Sequence, residues 1–146
     1  GANPNLGIEH YINNGFFEGR ITDSFNEFSY IASHSDLISI FGVDDGGAAT
    51  AHYVEIGYTL GKAVDAFDEY GYIASYDDLI TAFGTNTLEA TKHYISFGKS
   101  EGRSTDLFNA ESYLNNYSDL KNIFGNDLDS AKKHFIEYGF NEGRIG

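Results

Sequence analysis

Four histidines, His10, His52, His93 and His134, lie 42, 41 and 41 residues apart in a chain of 146 residues. Imidazoles at near-constant spacing suggest metal ligation, a chemistry that needs partner groups converging in space. Each copy offers one histidine beside an aromatic residue, with no second histidine at helical spacing. The expectation is therefore structural: one ring nitrogen bonded to a backbone carbonyl or a carboxylate of a neighbouring segment. His34 stands outside this register and is expected to be an exposed surface residue. Glu18-Gly19-Arg20, Glu101-Gly102-Arg103 and Glu142-Gly143-Arg144 form a second recurring group that resembles a ligand-binding loop. Arg20, Lys62 and Arg103 each precede an aspartate by three residues, Asp23, Asp65 and Asp106, which predicts a cation–carboxylate clamp on the following linker.

Other candidate chemistries are weaker. Asp44-Asp45-Gly46-Gly47 and Asn126-Asp127-Leu128-Asp129 gather oxygens, but neither has the alternating ligands and distal glutamate of a helix-loop-helix calcium site. No cofactor is expected, and calcium enters only as a weak surface site. The chain has no G-x-S-x-G elbow, no H-E-x-x-H helix and no phosphate-cradling glycine loop, so no enzymatic activity is expected. Among eleven tyrosines, Tyr58, Tyr76 and Tyr117 fall outside the recurring positions and are candidates for a sugar-stacking surface. A formal charge of −13 is the wrong sign for gripping phosphates, which removes nucleic acid and anionic membrane surfaces as partners. No apolar run approaches the roughly 20 residues that span a bilayer, so membrane insertion is not expected. Cysteine is absent, and packing alone must supply stability.

These residues sit in a repeat. Gly15, Gly57, Gly98 and Gly139 keep step with the histidines, as do Phe25, Phe67 and Phe108, Tyr30, Tyr72 and Tyr113, and Asp36, Asp78 and Asp119. A fixed period of this length marks a repeat architecture. It divides the chain into a leading half repeat at 1–24 and full repeats at 25–66, 67–107 and 108–146, forming one array. Gly1 is in register with Gly84 and Gly125, and methionine is absent even at position 1, so a piece of a longer array is expected.

The predicted fold is all-α, with three short helices per repeat. Asn26, Asp68 and Asn109 cap the first helix, and Phe25, Phe67 and Phe108 before the caps pair with Tyr30, Tyr72 and Tyr113 as hydrophobic staples. The second helix is expected to follow Ser35, Asp77 or Ser118 and to stop at Gly42, Gly84 or Gly125. The third is expected to start at Asn3, Asp45, Asn86 or Asp127 and to end where Gly15, Gly57, Gly98 or Gly139 turns left-handed. In the copy at 87–97, Ala90, His93, Tyr94 and Phe97 share one face at helical period. Helices this short are marginal alone, so a solenoid-like stack with shared aromatic packing is predicted.

The cycle of Phe25-Asn26, Tyr30-Ile31, Asp36-Leu37 and Phe41-Gly42, continued by a histidine segment such as 134–144, resembles a helical repeat found in tandem in large secreted or surface proteins of bacteria. That repeat often lies beside RTX-type calcium-binding repeats or secreted hydrolase domains, and near some glycosyltransferases. The resemblance covers essentially the whole chain and brings no catalytic residues. It implies an extracellular or cell-surface accessory module. The periodicity, with no non-repeating polar constellation beside it, predicts a structural or adhesive spacer; the alternative is a carbohydrate-binding module using exposed tyrosines and acidic loops. The first full repeat departs from the pattern by an extra residue between Gly42 and His52 and by Leu60 in place of glutamate. Expected partners are neighbouring repeats, other copies meeting head to tail through the face of Leu6, Ile8, Tyr11 and Ile12, and surface glycans.

Overall fold

The structure, a computed structural model, describes residues 25–146. His10, Gly15, Arg20 and the apolar face from Leu6 to Ile12 lie outside the described residues. The chain divides into two units, the first ending at Phe67 and the second beginning at Asp68. All regular structure among the described residues is helical, as the periodicity predicts.

In the first unit, α1 (Glu27–Ala32), α2 (Ser35–Phe41) and α3 (Gly46–His52) follow one another, and α3 runs on through a π turn at Tyr53–Gly57. The second unit holds two such trios. They are α4 (Glu69–Ala74), α5 (Asp77–Phe83) and α6 (Thr87–His93) with its π turn Tyr94–Gly98, then α7 (Ala110–Asn116), α8 (Ser118–Phe124) and α9 (Leu128–His134) with its π turn Phe135–Gly139. Each third helix packs against the first helix of its own trio, and α9 also packs on α4, which stacks one trio on the other within the second unit. The stack is fastened by Lys132, whose Nζ donates to Asp68 Oδ2 at 2.7 Å and to Asp129 Oδ1 at 3.1 Å.

Local chemistry sets the first helices as expected. Asn26 Oδ1 accepts from the backbone N–H groups of Phe28 and Ser29, Asp68 Oδ1 from Gly71 N–H, and Asn109 Oδ1 from Ser112 N–H. The staple is present where Phe25 meets Tyr30 and Phe108 meets Tyr113, both at 5.4 Å between ring centroids. Second helices begin one residue earlier than predicted. Ser35, Asp77 and Ser118 are already helical, and the capping positions are His34, Tyr76 and Tyr117, which give no side-chain cap bond. Of the third-helix caps, Asn86 and Asp127 accept from Glu89 and Ser130 N–H, whereas Asp45 makes no such bond.

The third helix departs most from expectation. Gly57, Gly98 and Gly139 are not left-handed stops: they close a right-handed π turn. The left-handed residues come four positions later, at Gly61, Gly102 and Gly143, with φ of 65°, 71° and 70°, a region where a Cβ clashes with its own backbone. The wider π turn rotates the inner face: Ile95 and Gly98 are buried, and Phe97, expected inside, is 57% exposed. Tyr30, Tyr72 and Tyr113 are fully buried, with Ile31, Ile73 and Leu114 beside them in sequence. Burying each apolar side chain of this size contributes about 1.5–3 kcal/mol.

Candidate functional site

The recurring histidine belongs to a four-part node. Tyr30 Oη and His52 Nδ1 share a hydrogen bond of 3.0 Å, and the same bond joins Tyr72 to His93 at 2.9 Å and Tyr113 to His134 at 3.0 Å. The expected partner was a carbonyl or carboxylate; the actual one is a buried phenol delivered by the first helix. Phe41, Phe83 and Phe124 lie 5.6, 5.5 and 5.7 Å from their imidazoles. The fourth part is the glycine of the π turn. A methyl group on Gly57, Gly98 or Gly139 would overlap Tyr30 Oη, Tyr72 Oη or Tyr113 Oη, so glycine is required there by close approach and not by its φ. Burial pushes the Tyr30 and Tyr72 phenols up from the usual range, and Tyr113, raised first by burial, is pushed up to about 12. The phenol is thus held neutral, the form that can share a proton with imidazole.

A second node uses the cations. Arg103 grips Asp78 with both terminal nitrogens, at 2.9 and 2.8 Å, while its Nε donates to Glu101 at 2.7 Å. Arg144 repeats this with Asp119 at 3.1 Å and Glu142 at 2.6 Å, and Lys62 makes one bond of 3.2 Å to Asp36. The predicted clamp to Asp65 and Asp106 is therefore replaced by one to the first turn of the second helix. Asp106 instead accepts from Ser104 Oγ. Leu60 replaces the glutamate in the copy where Lys62 replaces arginine, and lysine's single nitrogen lacks the separate Nε–H that Glu101 and Glu142 receive.

Each guanidinium also covers an aromatic ring, Arg103 lying 4.8 Å from the centre of Tyr76 and Arg144 4.7 Å from that of Tyr117. Tyr76 Oη accepts from Ser104 N–H at 2.7 Å, and Tyr117 Oη from Ile145 N–H at 2.9 Å. His34 holds the same place in the first full repeat. It is half-buried, and its Nε2–H donates to Ala63 O at 2.7 Å. It is thus in register with the two tyrosines, contrary to its expected place as an exposed outsider. Tyr76 and Tyr117 have one face taken by arginine, whereas Tyr58, 74% exposed, is open.

Two serines had no functional reading in the sequence. Ser33 Oγ donates to Ser29 O and accepts from Ala66 and Phe67 N–H; Ser75 Oγ donates to Gly71 O and accepts from Leu107 and Phe108 N–H. Each ties the end of one first helix to the linker that leads to the next. Their signal was visible as an in-register pair 42 residues apart, but serine at a helix end suggests only a local bond.

Two shallow hollows adjoin the histidines of the second unit. One, about 220 Å³, is lined by Phe83, Glu89, Lys92, His93, Ser96 and Phe97; the other, about 180 Å³, by Phe124, Ser130, Lys133, His134, Glu137 and Tyr138. Among the described residues no three His, Cys, Asp or Glu side chains are grouped so as to hold a metal ion. No helix among them is long and apolar enough to cross a membrane. Comparisons with protein-family models, curated proteins and solved structures find no match.

Proposed function

We propose that this chain is a non-enzymatic structural or adhesive spacer module of an extracellular or cell-surface repeat protein. One observation carries the reading: the recurring polar side chains are spent on one another. Each described histidine of the 41-residue register is bonded to a buried tyrosine, and each arginine or lysine of the loop to the second helix's first-turn aspartate. Among the described residues, side chains so engaged hold the repeat together. The test is His134→Gln in the full chain, which should lower the thermal midpoint and remove no ligand response. A variant that lost a binding or hydrolytic activity while keeping wild-type thermal stability would overturn the reading.

A second reading, glycan binding, draws support from the paired hollows beside His93 and His134. Each has a half-exposed aromatic at its lip, Phe97 or Tyr138, with lysine, serine and glutamate close by. That mix of one apolar face and several hydrogen-bonding groups suits a sugar ring better than the arginine-covered Tyr76 and Tyr117. Calorimetric titration with oligosaccharides should then give weak binding that Phe97→Ala and Tyr138→Ala abolish together. Heats equal to dilution across a broad panel would remove this alternative.

A further inference from the structure

We propose that the last repeat is a cap, whose side facing away from α4 is made polar so that the apolar face left open on the first full repeat finds no matching surface on another copy. The second unit shows how one trio receives another. The third helix α9 packs on α4, Ile136 and Phe140 stand across a groove from Ile80, Thr81 and Gly84, and Lys132 pairs with Asp68. The receiving side is small and apolar: Gly71 and Ala74 are buried and Ile80 is 6% exposed.

At the positions of α7 and α8 in the same register, most of these features change. Gly71 becomes Ser112, Ala74 becomes Asn115, Ser75 becomes Asn116 and Ile80 becomes Lys121, while the charged Asp68 becomes the neutral Asn109. The first full repeat has Ala32, Ser33 and Ile38 where the last has Asn115, Asn116 and Lys121, and shares serine and asparagine with it at Ser29 and Asn26. In the last repeat Asn115 and Asn116 are exposed, and Lys121 Nζ donates to Asn126 Oδ1 at 2.8 Å. Seating another third helix there would bury the Asn115 and Asn116 amides and the Lys121 ammonium, whose bond is to a neutral amide and not to a carboxylate. Terminal repeats with a polar outer face are how repeat arrays stay soluble.

The opposite condition holds on α3 and its π turn. Val54 and Tyr58 occupy the register of Ile136 and Phe140, yet are 45% and 74% exposed. The occupant that fits them is a helix pair with the small-and-isoleucine pattern of α4 and α5, because that surface receives their counterparts in the second unit. A heterologous contact of this kind repeats without closing and builds filaments, and the polar residues of the last repeat prevent it.

Sedimentation velocity on the full 146-residue chain tests the cap. Wild type and Asn115→Arg should sediment alike at every concentration. A chain with Ser112→Gly, Asn115→Ala, Asn116→Ser and Lys121→Ile should show a sedimentation coefficient rising with concentration, and adding Val54→Asp should return it to the wild-type value. The proposal fails if wild type forms an oligomer that Asn115→Arg dissociates. It fails equally if the four-residue variant keeps its helical circular dichroism and still sediments as wild type, or if Val54→Asp leaves its association intact. Should the four-residue variant not fold, the comparison of wild type with Asn115→Arg still decides.

Discussion

At the scale of single residues, the glycine–tyrosine–histidine node explains why three unlike residue types recur together. Gly98→Ala sets a methyl against Tyr72 Oη and should cost about 1–3 kcal/mol, the usual penalty for overpacking. Tyr72→Phe removes the bond to His93 and should cost about 1 kcal/mol. Together the two changes should cost less than their sum, because the phenylalanine no longer presents the atom that the methyl strikes. Urea unfolding of the four proteins measures this; strict additivity would mean that the overlap is relieved by backbone movement. A milder effect is expected at Arg103. Its carboxylate partner Asp78 is well exposed, so Arg103→Lys should cost less than about 1 kcal/mol, a change the first full repeat already tolerates at Lys62. The spacing of the sequence located these residues but paired them wrongly. Nearness in the chain pairs Lys62 with Asp65 and Arg103 with Asp106, whereas their partners lie 26 and 25 residues earlier.

At the scale of elements, what depended on neighbouring residues was legible and what depended on distant ones was not. The caps at Asn26, Asp68 and Asn109 and the staples at Phe25 and Phe108 act within one turn, so residue type and spacing suffice to find them. The π turns could not be read this way. Gly98 in a sequence looks like a helix stop, and only the tyrosine arriving from α4 shows that the missing side chain makes room. The serine bridges are hidden for the same reason, since Ser75 reaches Leu107 and Phe108 from 32 and 33 residues away. Ser75→Ala should leave those two amides without their acceptor at a cost of about 1–3 kcal/mol. Hydrogen exchange at Leu107 and Phe108 should accelerate before exchange at the core residue Leu79 does. Equal acceleration at all three would assign Ser75 to global stability and not to the linker.

At the scale of the whole molecule, repetition multiplies these local effects and sets the pH range of the fold. Asp78 is held below its ordinary value of 3.8 by the bond from Arg103; at Asp36 and Asp119 slight desolvation works upward, but bonds from Lys62 and Arg144 leave both lowered. The unfolded chain therefore takes up these protons first, and the stability they contribute, present above pH 3.8, is lost as pH falls further. The buried tyrosines act in the opposite direction. With Tyr113 pushed up to about 12 from 10.0, the unfolded chain loses its phenolic proton first, so stability is full below pH 10.0 and declines as pH rises toward 12. Thermal midpoints should accordingly form a plateau with two shoulders, and added salt should lower the acid shoulder by screening the exposed ion pairs while leaving the alkaline one in place. Tyrosinate absorbance gives the sharper check. Of eleven tyrosines, Tyr30, Tyr72 and Tyr113 should ionise late and together with loss of helical circular dichroism. If all eleven titrate smoothly near the ordinary value while the helices persist, the buried phenols are not what holds each trio closed.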